Sequence, residues 1–110
     1  MRRRFLRRGR RRVKIGEGLT HARAFSRIYP QVGKVDTKYD IIELINAIEE
    51  DDIPLKLKAK RLHYLYAITY SPSFLKGWKG DKEDLETARR LIKNAWMETR
   101  LAIAEREYGD

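Results

Sequence analysis

Residues 81–108 read DKEDLETARRLIKNAWMETRLAIAEREY, and how this stretch folds decides the architecture. Leu85, Ala88, Ile92, Ala95, Thr99 and Ala102 recur at alternating spacings of three and four, with Trp96, expected in the core, and Ile103 beside them. That rhythm lines one face of an α-helix; a strand would need an apolar residue at every second position. Asp81 is an N-cap residue type, Glu86 and Arg90 form a favourable i,i+4 pair, and Gly109 supplies a stop. A helix over about 82–108 would be roughly 40 Å long.

Working upstream, the same period returns. The loop SPSFLKGWKGD is punctuated by Pro72, Gly77 and Gly80. Before it, Leu55, Ala59, Leu62, Tyr66 and Thr69, widened by Leu65, predict a helix over about 54–70, with Pro54 suited to its first turn. EEDDIP is the turn leading into it. Thr37 and Asp40 form a capping-box start for a helix over 37–50 whose apolar positions are Ile41, Leu44, Ile45 and Ile48. Ahead of the QVGK loop, a short helix begins near Thr20, sets Ala22, Phe25 and Tyr29 on one face, and ends at Pro30. No period-two pattern persists anywhere in the chain. The sequence therefore predicts an all-α fold: a small bundle of one short and three longer helices over residues 19–110, preceded by a basic arm and glycine joint over residues 1–18.

The arm is MRRRFLRRGRRRVK, with eight arginines, one lysine and no acid in fourteen residues. The chain of 110 residues carries 25 basic and 16 acidic side chains, a net charge of +9. Residues 1–14 account for all of it, so residues 15–110 hold 16 of each sign. Blocks of like charge repel, do not fold alone, and commonly act as interaction tails. The arm is thus expected to be flexible alone or ordered on a partner. IGEG, residues 15–18, would be its hinge. Guanidinium groups offer paired donors and a charge that never titrates away, which suits phosphate. The candidate nucleic-acid-binding residues are Arg2, Arg3, Arg4, Arg7, Arg8, Arg10, Arg11, Arg12 and Lys14, continued by Arg23 and Arg27. Wound as a helix, residues 2–14 would cover roughly 20 Å, the length of about six base pairs. A solvated tail, a targeting signal and an anchor for anionic lipid are the competing readings of the same charge.

Composition narrows the class further. There is no cysteine, hence no disulfide framework or thiolate metal site, and the amide residues are Asn46, Asn94 and Gln31 alone. With 37% charged residues, this is the composition expected of a protein from a hot environment. The arm lacks the apolar stretch of about seven or more residues that a secretory signal requires. No run approaches the roughly 18 apolar residues of a transmembrane span. His21 and His63 are the two histidines, no nucleophile or metal-hydrolase motif is present, and EEDD at 49–52 lacks the spacing of a calcium loop. The expectation is a non-enzymatic protein with no cofactor and no metal.

Two further groups invite a functional reading. Lys56, Lys58, Lys60 and Arg61, with His63, form a second basic group that is either a solvated face or another phosphate contact. In FLKGWKG, Phe74 and Trp78 alternate with Lys76 and Lys79; such a loop can stack single-stranded bases, but a core-closing or subunit contact is favoured.

Three functions fit this layout: a structural coat on double-stranded DNA, an RNA-bound protein of ribosomal type, and a helix-turn-helix regulator. The regulator is weakest, because its recognition helix, PLKLKAKRLHYLYA, has no Asn or Gln to read adenine edges. The neutral body favours the coat over the RNA-bound alternative, whose basic charge would extend across the whole chain. Tyr64, Tyr70, Phe74, Trp78 and Tyr108 would supply surface for self-association.

The RRRFLRRGRRR arm, the helical body, the absence of cysteine and the hot-environment composition together resemble the major coat proteins of filamentous and rod-shaped viruses of hyperthermophilic archaea. The resemblance is one of layout over the whole chain. It implies an all-α coat protein whose dimers wrap double-stranded DNA, often in A-form, into a helical filament, with or without a second coat protein. It also implies that the arginines of the arm line the DNA channel, and that the protein resides in the virion after assembly in the cytoplasm. The short arm ahead of a glycine joint departs from the longer helical wrapping segment of that family.

Overall fold

The computed structural model describes residues 23–108, with side chains from Phe25 onward. Among these residues there are five helices and no strand: α1 (Arg23–Ile28), α2 (Lys38–Glu50), α3 (Leu55–Ile68), α4 (Pro72–Gly77) and α5 (Lys82–Tyr108). The all-α bundle expected from the spacing is present. Thr20, Ala22, the 15–18 joint, the arm and Gly109 lie outside the described residues.

Helix α5 is the spine. α3 packs along it most extensively and α2 lies beside them. Lys38 at the start of α2 reaches Asp84 at the start of α5 at 3.5 Å, so these two helices begin at the same end. α3 runs the other way. Its C-terminal Thr69 accepts from Arg89 near the start of α5, while Lys56 in its first turn pairs with Glu107 near the α5 end. Ile41, Leu44, Ile45 and Ile48 of α2, Leu62 and Leu65 of α3, and Leu85, Ala88, Ile92 and Ala95 of α5 meet in one buried cluster. Thr99 is buried as well, its hydroxyl donating back to the Ala95 carbonyl at 2.8 Å. The α5 stripe is therefore the core-facing side through Thr99, whereas Ala102 is only partly covered.

The start of α2 is fixed locally. The Thr37 side chain accepts from the Asp40 N–H at 3.2 Å, and the Asp40 carboxylate accepts the Thr37 N–H at 3.0 Å, completing the capping box. Partial burial pushes the Asp40 carboxyl up, but the bonds it accepts from Thr37 and Asp36 outweigh that and hold it below the usual range. In the preceding loop, Gly33 adopts φ 77°, a left-handed conformation in which a Cβ is costly, and its carbonyl accepts the Ser26 hydroxyl at 2.6 Å.

Four local expectations are corrected. SPSFLKG is a short helix rather than a loop: Ser71 caps it by accepting the Phe74 N–H, and Pro72 opens it where no N–H is needed. Pro54 is the N-cap of α3 and lies just outside the first turn. The α3 stripe is rotated so that Ile68 faces the core, while Tyr66 is half-buried and its hydroxyl meets that of Tyr70 at 3.1 Å. Trp96 sits at the rim of the core, against His63 and under Arg100, rather than inside it.

Candidate nucleic-acid interface

Of the eleven cations singled out for phosphate binding, Arg2, Arg3, Arg4, Arg7, Arg8, Arg10, Arg11, Arg12 and Lys14 lie outside the described residues, and Arg23 is described only as the first backbone position of α1. Arg27 is exposed in the last turn of α1, two positions beyond fully buried Phe25 and thus on the opposite side of the helix. Among the described residues it has no acidic partner within ion-pair distance.

What the structure does define is how α1, the element into which the arm leads, is held to the body. Phe25 and Tyr29 enter the core. The Tyr29 hydroxyl donates to Asp51 at 2.8 Å and accepts from Arg61 at 2.6 Å, and Arg61 bridges to the same Asp51 oxygen at 3.2 Å. Burial, then the bond donated to Asp51, pushes the Tyr29 phenol up to about 12, with Arg61 pulling the other way. This three-residue clamp ties α1 to the α2–α3 turn and to α3. Asp51 of the EEDD turn is consumed by it. Beside the clamp an open groove of about 360 Å³ is lined by Ile28, Gln31, Ala47, Glu50 and Asp51. Its two acids make it unfavourable for phosphate.

The second basic group largely dissolves into intramolecular roles. Lys56 pairs with Glu107 at 3.1 Å, Lys58 donates to the Glu49 carbonyl at 2.6 Å and so caps the end of α2, and Arg61 belongs to the clamp. His63 lies against the Trp96 ring, with centroids 5.5 Å apart. Elsewhere, Lys34 and Lys79 flank the buried Asp36 carboxylate at 3.9 and 3.4 Å. Arg89 donates to the Thr69 carbonyl at 2.8 Å and stacks 3.7 Å from the Tyr70 ring centre. Glu86 and Arg90 do not make the ion pair that their spacing suggested; α5 instead pairs with other helices, Asp84 with Lys38 of α2 and Glu107 with Lys56 of α3.

The FLKGWKG segment closes one end of the core. Phe74 is buried, Trp78 packs on it with ring centres 5.5 Å apart, and the indole N–H donates to the Asp81 carbonyl at 3.2 Å. Buried Phe74 is not free to stack a base and is removed from the expected self-association surface. Tyr64 and Trp78 are partly buried. Among the described residues, the large apolar side chains that remain exposed are Tyr39, Tyr70, Leu75, Met97, Leu101 and Tyr108. Met97 and Leu101 add aliphatic surface to the aromatic residues expected for self-association. No helix of the described residues is long and apolar enough to cross a membrane.

Comparison with protein-family models, with curated proteins and with solved structures found no match to this chain.

Proposed function

We propose that this chain is a structural nucleoprotein of the coat type, which neutralises and encapsidates double-stranded DNA without reading its sequence. One observation carries the reading: charge is segregated along the chain. Residues 1–14 hold nine cations and no acid, whereas residues 23–108 hold 16 basic and 14 acidic side chains. Many of the body's cations are already engaged by its own carboxylates, carbonyls and rings. The net positive charge therefore belongs chiefly to the arm. Arm arginines placed along the backbone would release counterions and relieve repulsion between phosphates, while near-neutral bodies can approach one another and form the shell. Contacts confined to phosphate position a protein without specifying bases. At high temperature the desolvation penalty of ion pairs falls, which favours arginine–phosphate contacts. The expected site of action is the virion, supplied from a cytoplasmic pool.

The test is assembly. Full-length protein mixed with random-sequence double-stranded DNA is expected to give regular filaments in negative-stain electron microscopy and to protect the DNA from nuclease. Irregular aggregates on DNA, together with tight binding to folded RNA, would replace this reading with that of an RNA-bound structural protein.

A further inference from the structure

We propose that the outer seam of α5 pairs with the α5 of a second copy of this chain as a short, parallel, two-stranded coiled coil. Helix α5 carries two stripes. One is the buried stripe that faces α2 and α3. The other lies opposite and consists of Asn94, Met97, Leu101, Ala104 and Tyr108, spaced three, four, three and four apart. All five are exposed in the folded chain; Met97 is 52%, Leu101 62% and Tyr108 83% accessible. A spacing that averages 3.5 residues is the seam of a left-handed coiled coil, with Asn94, Leu101 and Tyr108 at a and Met97 and Ala104 at d. Ile92 and Thr99 then fall at f, the position farthest from a partner, and both are buried against their own bundle. The heptad register and the observed burial agree at every one of these positions.

The occupant follows from charge. In this register Lys93 and Arg100 are at g, and Glu98 and Glu105 are at e. In a parallel pair each g residue faces the e residue five positions further along the partner helix. Lys93 would meet Glu98 and Arg100 would meet Glu105, an opposite-charge pair in both cases and repeated by symmetry. An antiparallel pair centred on Leu101 would instead set Glu98 against Glu105 and Arg100 against Arg100. Glu107, the remaining g residue, is held by Lys56 of its own chain. Asn94 at a is a polar seam residue of the kind that fixes register and a two-stranded state at some cost in stability. Because the bundle already holds α5 helical, pairing does not have to nucleate a helix. The seam would serve as a lateral contact in a coat, yet it stands on α5 alone.

Sedimentation equilibrium of the full-length protein, freed of nucleic acid and run over a micromolar concentration series, tests the pairing without reference to the arm. The wild type is expected to be a dimer. Leu101→Glu is expected to weaken it by about a hundredfold or more, since it places two like charges in the seam. Its circular dichroism should be unchanged, because Leu101 lies outside its own core. The chain has no cysteine, so Asn94→Cys reports orientation: a parallel pair oxidises to a 94–94 disulfide. In an antiparallel pair the two Asn94 positions lie far apart, and a disulfide would form only when Asn94→Cys is mixed with Tyr108→Cys. A wild type that remains monomeric, a dimer indifferent to Leu101→Glu, or cross-linking only in the mixed pair would overturn the proposal.

Discussion

Tyr29→Phe tests the clamp that holds α1 to the body. The ring is 4% exposed and stays packed after the substitution; only the hydroxyl is lost. That hydroxyl makes two charge-assisted hydrogen bonds, to an Asp51 side chain that is 32% exposed and an Arg61 side chain that is 13% exposed. The Asp51–Arg61 bridge survives, and water reaches Asp51, so the loss falls below the sum of two buried charged bonds: about 1–2 kcal/mol. For a body of this size that lowers Tm by about 4–16 °C. The pH dependence makes the test sharper. The folded pKa of about 12 lies above the unfolded value near 10. Protonated Tyr29 therefore stabilises the fold fully below pH ~10, and that stability is lost as pH rises through the folded value. Tyr29→Phe lacks this contribution, so its deficit against wild type should shrink between pH 10 and 12 in urea unfolding curves. Equal stability at neutral pH, or a deficit that stays constant across that window, would refute the reasoning.

Three other perturbations have defined outcomes. Thr37→Ala removes the N-cap of α2 and is expected to cost about 0.5–2 kcal/mol in urea unfolding. Because Asp40 is held below its ordinary pKa, the box contributes above the unfolded carboxylate value and is lost as pH falls through the folded one. Glu49→Gln should raise Tm slightly at neutral pH. Partial desolvation, followed by repulsion from Glu98, sets the Glu49 pKa above the usual range, so its stabilising contribution is present at low pH and lost as pH rises through the raised value. The side chain is exposed, which limits the gain to a few tenths of a kcal/mol. Ile92→Ala, at the fully buried centre of α5, should cost about 2–5 kcal/mol and lower the urea midpoint without changing the slope.

The helices that were legible in the sequence carry their signals locally. Thr37 and Asp40 are three residues apart, and Ile41, Leu44, Ile45 and Ile48 keep one period, so α2 could be read to its first residue. In α3 periodicity alone could not decide between Tyr66 and Ile68. The phenol can leave the core to reach Tyr70, whereas isoleucine cannot escape its burial preference. Pro72 and Gly77 read as loop punctuation, although Ser71-Pro72 is equally a cap followed by a first-turn proline. The fate of Lys56, Lys58 and Arg61 was invisible because their partners, Glu107, the Glu49 carbonyl and Asp51, are fixed by tertiary packing across 9 to 51 positions of chain. The arm is the reverse case: its chemistry is wholly compositional, and the sequence states it in fourteen residues.

The measurement that bears most directly on the central claim is the salt dependence of binding to random-sequence double-stranded DNA, with and without residues 1–14. If the nine cations of the arm all meet phosphates, the logarithm of affinity should fall against the logarithm of salt concentration with a slope of about −8. Removing the arm should flatten that slope toward zero and abolish binding at moderate salt, while the helical melt of the body is preserved. A truncated protein that binds DNA with an undiminished slope would contradict the account and move the interface onto the body.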